Sequence, residues 1–283
     1  MSVEIRGFTG VKANVDPQGQ LNVVLPDSQL VNIPDSQRII VRQEFTEIIR
    51  GQVPGSSFHS LNGYNGAIST SYEPISSTSL PNFPVINNPI TLSVSSDAVT
   101  DVYGSGTGAW SVYIDGVGAN FVKQSEVINL NGRNAVYTSV TYLAINTFLV
   151  VAAGSNGSNN GTIYIGFGTV TAGGLPANIV NTIVIGENMS HSAIFTVPAG
   201  QNYIIPVFAF SSSGQGTAQM RARTNLGITY IDATFPLNAE CVTLNSNTPR
   251  LIPEKTQMQI FAKATTGSIA LTVIVQGVLY DIV

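Results

Sequence analysis

Residues 104–165 read GSGTGAWSVYIDGVGANFVKQSEVINLNGRNAVYTSVTYLAINTFLVVAAGSNGSNNGTIYI, and the fold prediction starts from their pattern. Short runs of Val, Ile, Thr, Tyr and Phe alternate in it with glycine-containing turns, about every 8–12 residues. The runs with strand character are residues 110–114, 125–130, 135–140, 143–152 and 162–165. None is long enough, or periodic enough at about 3.6 residues, to predict a helix. The pattern therefore predicts an antiparallel β-sandwich or barrel.

Turn residues mark where the chain reverses. In Asn131–Gly132 the asparagine tolerates a positive φ and the glycine has no steric penalty there, so the pair predicts a hairpin turn. Asp115–Gly116 predicts another turn by the same chemistry. The sequence GFGTVTAGGLP at residues 166–176 has the composition of a hinge between two domains.

The alternation begins with a strand at residues 91–95 and continues to the C-terminus. Further strands are predicted at residues 193–197, 202–211, 217–223, 227–235, 240–244, 257–264 and 268–280. The last of them carries apolar side chains on both faces, which is typical of a central strand or of one at a subunit contact. We therefore predict an all-β protein with two tandem, jelly-roll-like antiparallel β-sandwiches, residues 91–185 and 186–283.

The first 55 residues differ in composition and predict an N-terminal extended arm or a small β region. Residues 3–8 and 21–25 have strand character around a turn at residues 16–19. Residues 38–50 (RIIVRQEFTEIIR) fit either a strand pair or one amphipathic helix, and the β-branched side chains favour strands.

Residues 56–90 are predicted to form a Ser/Pro-rich linker. Prolines remove amide donors and interrupt regular strand pairing. The segment nevertheless contains Phe58, Tyr64, Tyr72 and Phe83, more aromatic residues than a disordered linker would have. We interpret it as an extended segment that packs on a surface, either of this chain or of a neighbouring subunit.

Composition limits the classes of partner. Charged residues make up 10% of the chain, against roughly 25% in an average soluble domain, and the net charge is −4. No cluster of Lys and Arg is present, so nucleic acid is not an expected ligand. No uninterrupted apolar window of about 18 residues predicts a membrane span, and the N-terminus has no apolar core of a signal peptide.

Two glycine-rich segments are interpreted as loops. Residues 104–108 lack the Gly-Lys-Ser/Thr sequence and the following helix that a phosphate-binding loop needs. Residues 154–161 are predicted to form an exposed loop, and Trp110 is predicted to be a core residue rather than a ligand platform.

Candidate metal ligands are few. His59 and His191 lie far apart in sequence, without further ligands at a suitable spacing. Asp97, Asp101 and Asp115 fall near one predicted sandwich edge and could ligate calcium through their oxygens, although they match no known calcium loop.

Candidate catalytic residues are equally scarce. Ser190 and Ser192 flank His191, but no Gly-x-Ser-x-Gly turn supports a nucleophile. Cys241 cannot form an internal disulfide and is predicted to be a small buried residue at a strand start. The sequence therefore predicts no catalytic, cofactor-binding or metal-binding residues and no enzyme activity.

Other polar residues suggest surface roles. Arg221 and Arg223 share one strand face and could pair with acids across a contact or form a solvated or cross-strand pair. Asn156, Asn160 and Asn188 match the glycosylation sequon, which we interpret as chance because no signal peptide is predicted.

Several motifs resemble those of a known group of proteins. GTGAWSVYIDGV at residues 106–117, EVINLNG at residues 126–132 and the loop at residues 153–165 resemble a domain of structural proteins of tailed bacteriophages of the cyanophage type. In the second predicted sandwich, FTVPAGQNYII at residues 195–205, the arginine strand at residues 220–223 and LIPEKTQMQIFAKAT at residues 251–265 resemble a companion domain. The chain departs from the pattern at Trp110, where a smaller or cationic residue is expected.

The resemblance implies a non-enzymatic virion structural protein. We expect a capsid decoration or cement protein, assembled in the host cytoplasm, that contacts the major capsid protein or neighbouring virion proteins. A homo-oligomer is expected, with a trimer favoured because such assemblies are usually closed and symmetric. A tail, baseplate or fibre protein is the alternative, whereas a carbohydrate-active enzyme would need a carboxylate pair in a motif context.

Overall fold

The computed structural model describes residues 2–4, 12–15, 21–24, 30–33, 44–78, 80–84 and 88–282. It confirms the all-β fold class with antiparallel sheets. The strands are β1 (Ser2–Glu4), β2 (Lys12–Val15), β3 (Leu21–Val24), β4 (Leu30–Ile33), β5 (Ser56–Ile68), β6 (Glu73–Pro74), β7 (Ser93–Ser96), β8 (Ala109–Val117), β9 (Lys123–Asn129), β10 (Val136–Tyr137), β11 (Ala144–Ala153), β12 (Ile163–Val170), β13 (Pro176–Ile183), β14 (Ile194–Thr196), β15 (Gln201–Ser212), β16 (Gln215–Arg223), β17 (Thr229–Asn238), β18 (Cys241–Ile252), β19 (Gln257–Ala264) and β20 (Ile269–Asp281).

The chain divides into two compact units, residues 1–47 and residues 48–283. In the first unit, β1 to β4 form an antiparallel meander in sequence order. The turn predicted at residues 16–19 lies outside the described residues, as do residues 5–8 of the first predicted strand.

A helix replaces part of the strand predicted at residues 38–50. Helix α1 spans Glu44–Ile49, and residues 38–43 lie outside the described residues. Gly51 has a φ of 71° and its N–H donates to the carbonyl of Ile48 at 2.9 Å. A left-handed glycine of this kind ends helices, and this local signal overrides the weak strand preference of the β-branched residues.

The first sandwich contains two sheets that enclose one core. One sheet has the order β10-β7-β12-β13 and the other has the order β11-β8-β9. The buried apolar side chains of both sheets form a single cluster between residues 92 and 183. Its members are Leu92, Val94, Ala109, Val112, Ile114, Ile128, Leu130, Tyr142, Ile145, Phe148, Ile163, Ile165, Val180 and Ile183.

Two of the predicted turns have different outcomes. The turn at Asn131–Gly132 is confirmed, because Gly132 has a φ of 58° and Asn134 N–H donates to the carbonyl of Asn131 at 3.1 Å. The turn at Asp115–Gly116 was wrong, because both residues lie inside β8. A Cβ on Gly116 would lie 2.2 Å from the Ala144 carbonyl oxygen, so glycine serves close strand packing there.

The segment predicted to be a hinge is a hairpin inside the first sandwich. Strand β12 pairs with β13, and Val170 lies opposite Pro176. Between them Thr171 N–H donates to the carbonyl of Leu175 at 2.9 Å, and Gly174 N–H donates to the carbonyl of Thr171 at 2.9 Å. Two glycines close a tight turn here instead of loosening a domain junction.

The second sandwich includes residues that the sequence assigned to a linker. Its sheets have the orders β14-β19-β16-β17 and β18-β15-β20-β5, and β6 also pairs with β19. Strand β5 pairs with β20 along nearly its whole length. Its glycines suggested a loop, but a Cβ on Gly63 would lie 2.6 Å from the Cβ of Ala193, so a glycine is needed for packing.

The C-terminal strand is central, as its apolar faces predicted. Strand β20 lies between β15 and β5, and Val273 is fully buried. The core around it is the larger of the two. It contains Leu61, Ile68, Ile75, Ala193, Phe195, Val197, Tyr203, Ile205, Phe208, Phe210, Ala218, Met220, Ala233, Leu237, Ile252, Met258, Ile260, Ala262, Ala264, Ile269, Leu271, Val273, Val275 and Leu279.

Side-chain hydrogen bonds join the two sandwiches, together with a backbone bond from Ala199 N–H to the carbonyl of Phe121 at 2.8 Å. Asn146 Nδ2 donates to the carbonyl of Thr196 at 2.8 Å, and Asn146 Oδ1 accepts from the N–H of Thr196 at 2.8 Å. The hydroxyls of Thr78 and Thr182 lie 2.7 Å apart at a second contact. Both backbone groups of Thr196 are thereby satisfied by one amide, as in a β-ladder.

Within the described residues, no helix has the length and apolarity that a membrane crossing requires.

Candidate functional site

A glycine-rich loop precedes β8 and closes around the buried carboxylate of Asp101. Oδ1 of Asp101 accepts hydrogen bonds from the N–H groups of Ala109 and Asn160, both at 2.8 Å. Oδ2 accepts from Ser96 Oγ at 2.6 Å and from Gly161 N–H at 3.0 Å. Four donors therefore satisfy the two oxygens of this carboxylate, which makes Asp101 the hydrogen-bonding centre of three loops.

The interpretation of this loop as a turn is confirmed. A Cβ would lie 2.0 Å from the Thr100 carbonyl oxygen at Gly106 and 2.0 Å from Asp101 Oδ1 at Gly108, so neither position has room for a side chain. Trp110 is half-buried rather than a core residue, and its Nε1 donates to the carbonyl of Gly106 at 2.7 Å. The indole thus closes the loop from the outside.

The other two acids of the calcium hypothesis have separate environments. Asp97 Oδ1 accepts from Thr162 N–H at 2.9 Å and its Oδ2 from the Tyr164 hydroxyl at 3.3 Å. Asp115 lies 3.7 Å from Lys123 Nζ, and burial raises the pKa of its carboxyl despite that ammonium. In the described part of the chain, no three His, Cys, Asp or Glu side chains are grouped to hold a metal ion.

His191 lies in a hydrogen-bonded turn between the sandwiches. Its Nδ1 is 3.1 Å from Glu187 Oε2. The neighbouring hydroxyls have a different partner: Ser190 Oγ and Ser192 Oγ donate to Asn181 Oδ1 at 2.6 and 3.0 Å. The serines and the histidine are therefore not brought together as nucleophile and base.

His59 is half-buried beside aromatic side chains of the second core, and its Nε2 atom is shielded from solvent. Its ring centroid lies 4.1 Å from that of Phe195 and 5.9 Å from that of Tyr203. Burial, with a smaller contribution from the charge of Lys123, lowers the pKa of His59 to about 4. Among the described residues, His59 Nε2 has no hydrogen-bond partner. His59 is therefore a neutral packing residue at physiological pH.

Cys241 and the sequon asparagines lie in surface segments. Cys241 starts β18 as predicted but is exposed, because β18 is an edge strand. Asn156 Nδ2 donates to Asn160 Oδ1 at 2.8 Å, and Asn188 Nδ2 donates to the carbonyl of Gly157 at 3.1 Å. The three asparagines therefore stabilise loops through their side-chain amides.

Arg221 is enclosed by aromatic rings on the outer face of the second sandwich. Its guanidinium carbon lies 4.8 Å from the ring centroid of Tyr72 and 4.3 Å from that of Phe261. Its Nε and Nη2 donate to Gln219 Oε1 at 3.0 and 2.8 Å, and Lys263 Nζ lies 4.9 Å from the Tyr72 centroid. These cation–π contacts hold the segment around Tyr72 on the sheet.

Arg223 has a different environment, because it lines a cleft where the two sandwiches meet. The cleft has a volume of about 330 Å³. It is lined by Phe121, Leu143, Ala144, Thr196, Arg223, Thr224, Asn225, Leu226, Gly227, Lys255 and Gln257. Sequence reasoning placed Arg223 on a strand face but missed the cleft, because the cleft combines residues that lie more than a hundred positions apart in the chain.

Comparison with known proteins gives weak similarity only. No protein-family model and no curated protein matches the chain. PBSX exported protein XepA is 10% identical, with 77% of this chain and 86% of that chain covered and a TM-score of 0.17. The structure of infectious bursal disease virus Gt strain is 12% identical, with coverages of 85% and 83% and a TM-score of 0.19.

A tryptic core variant of Cry1Da from Bacillus thuringiensis is also similar, at 10% identity. The alignment covers 76% of this chain and 53% of that chain, with a TM-score of 0.19. The similar structures thus include a phage exported protein and viral capsid proteins, and the cyanophage type is not distinguished among them. Similarity at this level carries no argument about the function of this chain.

Proposed function

We propose that the chain is a non-enzymatic virion structural protein that stabilises a phage head as a decoration or cement protein. Its partners would be the major capsid protein or neighbouring virion proteins, and its location the virion. The support comes from the sequence motifs, from the low charge and from the way in which the described polar groups serve loops and the junction between sandwiches.

The observation that carries the proposal is an apolar rim on the second sandwich. We use the term apolar rim for Leu226, Ile228, Ile231 and Leu251, whose exposed fractions are 82%, 61%, 54% and 56%. Ile231 lies on β17 and Leu251 on β18, and Leu226 and Ile228 lie in the turn between β16 and β17. Exposed apolar surface is common at protein–protein contacts. A protein that acts by adhesion to neighbours needs such a surface, whereas an enzyme needs a converging set of reactive groups.

The rim lies where both sheets of the second sandwich have an edge strand. Strand β17 is one edge strand of its sheet, β18 is one edge strand of the other sheet, and the two strands follow each other in the chain. Arg250 Nη1 on β18 lies 2.9 Å from Asp232 Oδ2 on β17, so the two edges are adjacent. Edge strands offer unpaired backbone groups to a partner chain, in addition to the apolar side chains.

The proposal includes a homo-oligomer, with a trimer favoured. Closed symmetric assemblies are the common state of proteins that occur in many copies on a shell, and a local threefold axis would accommodate a trimer. Under this proposal the apolar rim contacts either a second copy or the capsid surface.

Copy number in purified particles tests the proposal. Quantitative mass spectrometry against an isotope-labelled standard of this chain would give its ratio to the major capsid protein. We expect hundreds of copies per particle. A few to a few dozen copies would instead support a tail, baseplate or fibre protein, and absence from the particle would overturn the virion assignment.

A further inference from the structure

In the cleft between the two sandwiches, Arg223 has no counter-charge among the described residues. Arg223 and Lys255 both line the cleft. Lys255 Nζ lies 3.3 Å from Glu254 Oε2, so its charge is compensated within the turn. The same carboxylate accepts from Gly200 N–H at 2.8 Å, and these two contacts lower the pKa of Glu254.

Arg223 has only neutral neighbours across the sheet. In register it lies opposite Gln257 on β19 and Thr229 on β17. Within the described residues, no carboxylate lies at ion-pair distance from Arg223 and no acceptor takes a hydrogen bond from its guanidinium. A guanidinium presents five N–H donors in a planar fork, which matches a carboxylate in a bidentate geometry.

Arg221 shows what a structural arginine on this face looks like. It lies two residues earlier on the same strand face, and it is enclosed by Tyr72 and Phe261 and hydrogen-bonded to Gln219. Within the described part of the chain, Arg221 therefore has partners, whereas Arg223 lines the cleft without any.

Gln257 supplies a second, independent indication of a ligand. Its side chain is only 3% exposed and lines the cleft, and its Nε2 donates to Thr196 Oγ1 at 3.0 Å. Among the described residues, its Oε1 has no hydrogen-bond partner. A buried acceptor without a donor is unfavourable, so a ligand with an N–H group would stabilise it.

We propose that this cleft binds an acidic side chain of a peptide segment from a neighbouring protein. The carboxylate would bind Arg223, a backbone N–H of the same segment would donate to Gln257 Oε1, and an adjacent apolar residue would contact the exposed side chain of Leu226. An acidic residue within a peptide carries both required groups, the carboxylate and the amide. The proposal rests on the proposed function only in taking the neighbour to be another virion protein.

Nuclear magnetic resonance titration of the full chain tests this site. The probe is N-acetyl-glutamate N-methylamide, and the matched neutral control is N-acetyl-glutamine N-methylamide. We expect saturable shifts of the Arg223 Hε and Gln257 side-chain amide resonances with the acid, at a Kd of about 1 mM, and at least tenfold weaker binding of the neutral amide.

Two variants and a second anion complete the experiment. Arg223→Gln should weaken binding of the acid at least tenfold, whereas Arg133→Gln, at an exposed site in the first sandwich, should leave it unchanged. A thermal melt of each variant identifies any loss of fold, and Arg223→Lys, which keeps the charge, should retain weaker binding. Equal binding of acid and neutral amide, or unchanged binding by a folded Arg223→Gln, would overturn the site.

Inorganic phosphate is the last probe. If phosphate bound more tightly than N-acetyl-glutamate N-methylamide and displaced it, the cleft would be a phosphate site and the carboxylate assignment would be wrong. Because the titration uses the isolated chain, its outcome is independent of the copy number in particles, so the two proposals can fail separately.

Discussion

The first sandwich is closed by its own loops, whereas the second depends on a segment that precedes both sandwiches in the chain. In the first, the four hydrogen bonds to Asp101 connect residues between positions 96 and 161. In the second, β5 adds an edge strand next to β20, and β6 pairs with β19. The first sandwich is therefore held by polar contacts within its own sequence. The second has a larger apolar core, which includes residues from before the first sandwich.

In the second sandwich, one outer sheet face is covered by a segment that precedes both sandwiches in the chain. The segment that contains Phe83 covers the outer sheet face of the second sandwich. Phe83 N–H donates to Gln259 Oε1 at 2.7 Å, and the ring centroids of Phe83 and Phe261 lie 5.7 Å apart. Phe261 is fully buried although its side chain projects away from the core cluster. The cover lets that sheet carry apolar residues on both faces.

Truncation gives the largest expected effect. A fragment of residues 91–283 lacks β5 and loses Leu61, Ile68 and Ile75 from the second core, so we expect that sandwich to unfold. A fragment of residues 48–283 retains the whole second unit and should fold. Circular dichroism and thermal melting of the two fragments would measure this. A folded second sandwich in the shorter fragment would show that residues 48–90 are not needed for its folding.

Val273→Asp should have the next largest effect, and it should destabilise the second sandwich alone. Val273 is fully buried, and an unpaired carboxylate there should cost about 3–5 kcal/mol of a total stability of about 5–15 kcal/mol. Val273→Ala is the matched control, with a smaller loss from the cavity alone. Hydrogen exchange should show lost protection in β15, β20 and β5. Retention of the parent melting temperature would mean that position 273 is accessible to water.

Asp101→Asn tests the first sandwich in the same way. The substitution keeps the size of the side chain but places an NH₂ group where Asp101 Oδ2 accepts from Ser96 Oγ and Gly161 N–H. Because two donors then face a donor, we expect the free energy of unfolding to fall by about 2–4 kcal/mol. Asp232→Asn, at the surface pair with Arg250, should change stability by less than about 1 kcal/mol. Denaturant unfolding would compare the two. Equal, small effects would show that the loops are held by other contacts.

The smallest effect concerns pH and the second sandwich. His59 has a folded pKa of about 4 against 6.5 in the unfolded chain. The unfolded chain therefore binds a proton first, and the free energy of unfolding should fall as the pH decreases from about 6.5 towards 4, by up to about 3 kcal/mol. The raised pKa of Asp115 acts in the opposite direction, since its buried carboxylate is relieved when protonated.

His59→Phe provides the control for this pH dependence. Phenylalanine retains the ring contacts with Phe195 and does not titrate. The difference in unfolding free energy between the parent and the variant should therefore change between pH 7 and pH 4. A constant difference over that range would show that His59 is protonated equally in the folded and unfolded chain.

The contrast also explains what the sequence could predict. Strands and turns of the first sandwich follow from local alternation and from pairs such as Asn131–Gly132, so most were predicted close to their observed positions. The failure at Asp115–Gly116 has a local cause too, because a glycine required for strand packing looks the same as a turn glycine. The same ambiguity hid β5, where Gly63 fits against Ala193.

The candidate site was less predictable than the fold. Arg221 and Arg223 are alike in sequence, but Arg221 contacts Tyr72, which comes from a distant segment, and Arg223 lines the cleft. The aromatic residues of that segment did indicate packing on a surface, but not on which one. The cleft at Arg223 needs both sandwiches in place, and no local pattern records a contact between residues such as Leu143 and Gln257.

We propose that this chain is a component of a virion shell. Electron cryo-microscopy of intact particles tests it most directly, through density into which the second unit, residues 48–283, can be fitted. We expect both sandwiches to fit density on the outer surface of the head, with the apolar rim against a neighbouring protein. Matching density only in the tail would contradict the decoration role, and its absence from every part of the particle would contradict the virion assignment.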